Sequence, residues 1–465
     1  MINVTERSFG ELHFGGAELG NTARTRRLVM LADEIARQPG GTLPQKLREP
    51  AALQAAYRLL QQDEVTHAAV LAPHQAYTSQ LIAEHNGPLL AICDSTELDY
   101  TSLKSLQKLG QIGDGGGRGY ICHNVLIVDP QDRRTLGLAN QILHTRARRP
   151  KGETKKQSCA RASRESRLWV TGTALLPNDP KLIVVCDRGG DTFEELEHEQ
   201  RSGRRFVIRS NHSRRMLVEH VGCGQPQDLK STLRQQSACG STQHEIQETT
   251  KRSKRLATLN VAYRAVRLLA PRQRRGEHSQ EPLPLWCVRV WEEKPPVGEK
   301  PLEWFLLTNE PVESFADARQ VASWYECRWV VEEYHKAQKT GCGIEQLQLT
   351  DESRLQPMIA LLSVVALTLL SLRDQGRSPE AKTTPAVNVV AAEYVEVLSL
   401  WRHREIRHDW TVHDFYYALA RLGGHQNRKS DRLPGWQVLW RGWAALQLLV
   451  AGALIQRRRK KGDES

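Results

Sequence analysis

The spacing of apolar and polar residues changes character three times along the chain. In "NTARTRRLVMLADEIARQPG" and "EPAALQAAYRLLQQ" the apolar positions recur every three or four residues, the period of a helix buried along one face, and Gly closes the first run. From residue 88 this gives way to short continuous apolar runs: "PLLAIC" ending at Asp94, "GYICHNVLIV", "RTLGLANQIL", "KLIVVC" ending at Asp187, and "RRFVIRS". Such runs predict buried strands, and helical segments later in the chain make the class mixed α/β. Between 213 and 310 the pattern is an alternation, "LATLNVAYRAV" and "LWCVRVWEE", separated by charged or Pro-rich turns. Beyond 350 the helical period returns. Its most apolar run, "MIALLSVVALTLLSL" at 358–372, is too short for a membrane span and reads as a buried helix. The expected organisation is a helical region over 1–75, an α/β core over 76–350 split by a β-rich insertion at 213–310, and a helical region over 351–465.

One helix is predicted over about 315–340. Ser314 stands three residues before Asp317, a capping-box spacing; the interior lacks Gly and Pro, and Gly341 supplies a stop. Within it lies "WYECRWVVEEYHKAQKTG". A helix turns about 100° per residue, so Arg328, Glu332 and Lys339 project at roughly −60°, −20° and −40° from Tyr325, one narrow stripe. That stripe fits a solvated face of i,i+4 charge pairs as well as it fits a site. The basic stretch 145–157, "TRARRPKGETKKQ", reads as an exposed loop. The glycines of "GDGGGRG" at 113–119 fit neither the dinucleotide nor the phosphate-loop pattern and read as a turn.

Charge narrows the picture. The chain has 465 residues and a net charge of +12, the footprint of a polyanion-binding protein. Arg24, Arg26, Arg27, Lys46, Arg48 and Arg58 concentrate this charge in the N-terminal helices, where solvated faces and phosphate contacts are both open readings. Nine cysteines without a CxxC pair suggest neither a disulfide framework nor a zinc site, and "MINVTERSFGE" has no apolar leader; the expected compartment is the cytoplasm, without a membrane partner.

Asp94 and Asp187 each follow an apolar strand with a matching ending, "AICD" and "VVCD", and strand carboxyl ends are where α/β sheets build their sites. With Glu332 they make three carboxylates and no His or Cys cluster, a donor set suited to Mg²⁺ or Mn²⁺. Two such ions can activate a water or 3′-hydroxyl and stabilise the leaving oxygen in phosphodiester chemistry.

These residues are similar to the DDE transposases of the insertion-sequence-four family. The family signature of Tyr, Arg, Glu and Lys is matched in spacing by Tyr325, Arg328, Glu332 and Lys339, and its two aspartates by "AICDSTELDY" and "VVCDRGGD"; "LGNTARTRRL", "AAYRLL", "RRFVIRSNH" and "LWRGWAALQ" extend the likeness over most of the chain. The resemblance implies an RNase H-like mixed-sheet catalytic core with a β-strand insertion, flanked by helical N- and C-terminal domains. It implies Asp94, Asp187 and Glu332 as catalytic and metal-binding residues holding two Mg²⁺ or Mn²⁺ ions. Tyr325, Arg328, Lys339 and Arg209 would contact DNA, as would Arg24, Arg27 and Arg58 at the inverted repeat. Trp304, in "PLEWFLL", is either a core residue or, by resemblance, the ring that stacks on a flipped base. Trp436, Trp440 and Trp443 form a helical stripe that fits core packing or a dimer interface. The implied activity is cut-and-paste transposition through a hairpin, with transposon-end and target DNA as partners and a homodimer in the synaptic complex. An RNase H-like nuclease or resolvase that does not join DNA, and a non-catalytic end-binding repressor, are the rivals.

Overall fold

The computed structural model describes residues 7–147, 150–154, 157, 161, 163–218, 225–246, 255–271, 278–428, 431 and 433–463. It opens with five helices, α1 (Phe9–Phe14), α2 (Thr22–Arg37), α3 (Leu43–Lys46), α4 (Pro50–Leu60) and α5 (His67–Glu84). Asn21 and Thr66 cap α2 and α5 by accepting the backbone N–H groups of Arg24 and Ala69. α2 buries Leu28, Leu31, Ala32 and Ile35, the stripe read from its spacing. α1 is tied inward by a pair of histidines: His13 and His74 meet at 3.0 Å, and the Leu138 N–H donates to His74 Nε2 at 3.0 Å.

The strands are β1 (Leu89–Asp99), β2 (Gly110–Ile112), β3 (Gly117–Val128), β4 (Thr135–His144), β5 (Leu182–Cys186), β6 (Arg205–Arg209), β7 (Arg215–Val218), β8 (Gln227–Asp228), β9 (Gly240–Ile246), β10 (Arg255–Leu268), β11 (Leu283–Glu292) and β12 (Glu303–Thr308). Helices α6 (Leu168–Thr173), α7 (Phe193–Arg201) and α8 (Leu229–Arg234) fall between them. All twelve strands join one sheet in the order β2-β3-β1-β5-β6-β12-β11-β10-β7-β8, with β4 also on β3 and β9 also on β10. β5 and β6 run parallel to β1, while β3 and β4 extend the sheet antiparallel on its other side. The glycine cluster is the β2–β3 turn, where Gly113 (φ 59°) and Gly115 (φ 122°) take backbone angles closed to most side chains.

The segment 213–310 carries β7 to β12, and it is not a separate layer. β12 pairs with β6 from Thr308↔Val207 to Leu306↔Arg209, so the insertion prolongs the core sheet through an edge that β6 would otherwise leave open.

The remaining helices are α9 (Phe315–Glu326), α10 (Trp329–Lys336), α11 (Glu352–Arg377), α12 (Ala392–His403), α13 (Val412–Leu422) and α14 (Trp436–Asp463). The expected single helix over 315–340 is corrected to two helices and a π turn at Ala337–Gly341. Between α9 and α10 the bonds tighten to three-residue spacing, Arg328 N–H to the Tyr325 carbonyl and Val331 N–H to the Arg328 carbonyl, both 3.1 Å. Its predicted start is correct, with Ser314 and Asp317 forming the reciprocal cap. α11, which holds the apolar run 358–372, is buried at most positions and packs on one face of the sheet; α6 and α7 contribute to the cluster on the other. In α14, Trp436 and Trp443 are buried and Trp443 stacks on Tyr394 at 5.1 Å, so at least part of that stripe is internal packing. Within the basic stretch 145–157, residues 148–149 and 155–156 lie outside the described residues.

Candidate active site

Register sets the two aspartates side by side. β1 and β5 are parallel neighbours whose last paired residues are Cys93 and Cys186, so Asp94 and Asp187 are the next residue on each. Because successive side chains of a strand point to opposite faces, both cysteines enter the core beneath α7 while the acids turn the other way. Asp94 is not at the end of its strand, as the apolar run implied. β1 continues to Asp99, supported by β3 alone, with Asp94 opposite Asn124. Asp187 does end β5. Its Oδ1 accepts the Gly189 N–H at 2.7 Å, starting the turn Arg188–Gly190.

Glu332, on the first turn of α10, is brought to this place by Arg328. Arg328 Nη1 donates to Asp94 Oδ2 at 3.0 Å and Nη2 to Glu332 Oε1 at 2.7 Å. The tight step between α9 and α10 is what aims the guanidinium at both acids. Burial, and then the charge of Asp187, push the Asp94 carboxyl up to about 6, with Glu332 acting in the same sense and Arg328 opposing it. The charges of both other acids are thus felt at Asp94.

The other signature residues fall less uniformly. Tyr325 is only 3% exposed and Trp304 5%, and the two rings meet edge to face at 5.3 Å. His244 closes the far side of Trp304 at 5.6 Å and bonds Glu326 at 3.0 Å through Nδ1. Trp304 is thus a packed core residue as folded, and stacking on a base would require Tyr325 or His244 to move. Trp329, which the spacing argument passed over, is 53% exposed beside Arg328, whose guanidinium lies 5.2 Å from its ring centre. It has the solvent exposure that Trp304 lacks. Arg209 leans on the same group, donating to the Glu303 carbonyl at 3.2 Å, and burial lowers its pKa.

Lys339 lies further along, on the π turn, paired with Glu345 at 3.3 Å. The end of this turn is gripped from the N-terminal helices. Buried Lys46 donates to the carbonyls of Gly41 at 2.6 Å and Cys342 at 2.7 Å, and to that of Pro39. Trp436 closes on Gly341, and Trp440 on Gly40.

Of the N-terminal arginines, Arg27 and Arg58 are exposed. Arg24 is occupied within the fold. It donates to the Leu19 carbonyl at 3.0 Å and Gln62 Oε1 at 2.5 Å, and pairs with Glu64 at 2.8 Å, stapling α2 to the α4–α5 connection.

Sequence reading also missed two polar groups behind the acids. His123, bonded to Ser95 Oγ at 2.8 Å, and His335, bonded to Asn124 at 3.2 Å, are both pushed down to about 3 by burial and are neutral supports. Beneath Cys93 and Cys186 lie Glu195, Glu199 and Arg204, an acid pair on α7 with one buried arginine. Nothing in "FEELEHEQR" marked those acids as internal, since the string reads as a solvated charged helix.

The donor chemistry at Asp94, Asp187 and Glu332 is all carboxylate oxygen and fits a hard divalent ion. Their present placement is another matter. Among the described residues no three His, Cys, Asp or Glu side chains are grouped to hold a metal, and Arg328 pairs with two of the three acids.

Residues 6–65, the basic helices of the N-terminus, match the family model for transposase DNA-binding. This match supports a transposase, or at the least a DNA-binding role, with DNA as the partner. It covers the region carrying Arg24, Arg27 and Arg58 and leaves the acids outside it.

Proposed function

We propose that this protein is a DNA transposase of the DDE type, similar to the insertion-sequence-four family, that moves an element by cut-and-paste. The observation that carries the reading is the register of β1 on β5, which puts Asp94 beside Asp187 with Glu332 tied to Asp94 through one arginine, in a chain whose N-terminus matches a transposase DNA-binding model. The strand order β4-β3-β1-β5-β6, antiparallel and then parallel about β1, supports an RNase H-like core.

In this reading Asp94, Asp187 and Glu332 would hold two Mg²⁺ or Mn²⁺ ions, which supply an activated oxygen nucleophile and charge stabilisation at the phosphate. The chain's own residues do the rest. Arg27 and Arg58 hold backbone phosphates of the transposon end, Arg328 offers a bidentate fork, and Lys339 a point charge that exchanges Glu345 for phosphate. Hairpin formation and strand transfer into target DNA by a homodimer complete the proposal, with Trp329 or a rearranged Trp304 stacking on a flipped base.

The test incubates the protein with Mg²⁺, DNA flanking the coding region and a supercoiled target. Joined products support a transposase. Cleavage without joining favours an RNase H-like nuclease, and binding without nicking favours an end-binding repressor.

A further inference from the structure

We propose that Arg328 is a clasp that keeps a divalent ion out of the acid site until a DNA phosphate draws the guanidinium away, so that ion and DNA bind cooperatively. The inference rests on Asp94, Asp187 and Glu332 being the ion's ligands, and adds the order in which the site fills.

Three observations carry it. The two terminal nitrogens of Arg328 are committed to different acids, 3.0 Å to Asp94 and 2.7 Å to Glu332, so one positive group spans the oxygens that a dication would have to share. While it does so, the carboxylates are not grouped for coordination, and an arriving cation would meet like charge at short range. The third side of the guanidinium is unsatisfied: Arg328 Nε is buried without an acceptor. Two separate carboxylates, each taking one nitrogen, leave that N–H idle. A phosphate presents several oxygens to the same planar fork and can engage Nε together with one Nη.

The route is open on one side. Glu332 is about one-third exposed and the neighbouring Trp329 about half exposed, so a strand passing over α10 reaches the guanidinium from solvent. Movement of Arg328 onto phosphate frees Asp94 and Glu332 in a single step. By linkage, an ion that favours the freed acids strengthens the hold on DNA by the same factor.

The experiment measures Mn²⁺ binding to the full chain by water-proton relaxation, without DNA and with a duplex carrying the sequence that flanks the coding region. Wild type is expected to bind Mn²⁺ about tenfold more tightly with the duplex, within the usual range of coupling between sites. Arg328→Met, which keeps an apolar stem and removes the guanidinium, is expected to bind Mn²⁺ without DNA as tightly as wild type does with it. Equal wild-type affinity in the two conditions overturns the clasp and leaves the acid site standing, and this comparison needs no variant. An Arg328→Met affinity no better than that of DNA-free wild type overturns it as well. If an Asp94→Ala, Glu332→Ala double variant binds Mn²⁺ as wild type does, the acids are not the ligands and both readings fall.

Discussion

Two clusters that each set one arginine among acids lie on opposite faces of β1 and β5, with three acids in one and two in the other. On one face Arg328 joins Asp94 to Glu332; on the other, Arg204 serves Glu199, with Glu195 alongside. Arg204 is sealed. Its nitrogens donate to Glu199 at 2.7 and 3.2 Å, to Asn178 at 3.0 Å, to the Leu176 carbonyl at 3.4 Å, and contact His198 at 3.2 Å. Arg328 has two bonds and an idle Nε. Burial separates a fixed strut from an exchangeable contact. Where every donor is used and the side chain is fully buried, an arginine cannot change partners without stranding charge; where donors are spare and a partner faces solvent, it can.

The comparison breaks most visibly in activity. Asp94→Ala, Asp187→Ala and Glu332→Ala are each expected to reduce end cleavage to background while end binding, read by gel shift, stays near wild type; Mg²⁺-dependent nicking by any of the three would detach that acid from the site. Next comes stability. Arg204→Leu leaves Glu199 buried without its partner and should lose about 3–5 kcal/mol in urea denaturation, and a smaller loss than that of Arg328→Met would reverse the assignment of strut and clasp.

The acids should also differ with pH. Burial, followed by the charge of Glu199, holds the Glu195 carboxyl well above its ordinary range, and neither of its oxygens has a partner. A folded-state pKa above the unfolded value means that the native state keeps a proton the unfolded chain has released. Stability from this group is therefore full below about pH 4.5 and declines above it, by at most about 1.4 kcal/mol per pH unit. Glu195→Gln should flatten that decline, seen as a melting temperature that falls less than the wild type's as pH rises above about 4.5; parallel curves would show Glu195 to be ionised. The smallest effects belong to the N-terminal helices. Arg58→Ala and Arg27→Ala should each lower the salt slope of DNA binding by about one, whereas Arg24→Ala should instead lower the melting temperature, because its contacts are internal; a salt-slope change as large as that of Arg58→Ala would contradict the staple.

How much of this the sequence carried depends on whether a residue's partner was near in the chain or only in the fold. The strands that lead into Asp94 and Asp187 were legible from their continuous apolar runs, although only β5 ends there. Glu332 became legible only through resemblance, its spacing from Tyr325 and Lys339 being equally that of a solvated stripe. The extension of β1 past Asp94 was hidden because "STELD" is mostly polar and is held by β3, whose partner residues run from His123 back to Gly119. The step at Cys327–Arg328 left no Gly or Pro as a marker; tertiary bonds from Arg328 to two acids accompany it. The internal partners of Arg24 were not legible because two of its three acceptors, Gln62 and Glu64, lie about forty residues along the chain.

The Lys46 ammonium, enclosed by carbonyls from both Pro39–Gly41 and Cys342, gives the molecule a shared hinge-pin between its first helices and the turn that carries Lys339. Dissection into a free-standing end-binder and a free-standing nuclease would draw that pin. One fragment would keep a charge with too few acceptors, and the other an inward-facing carbonyl with no donor.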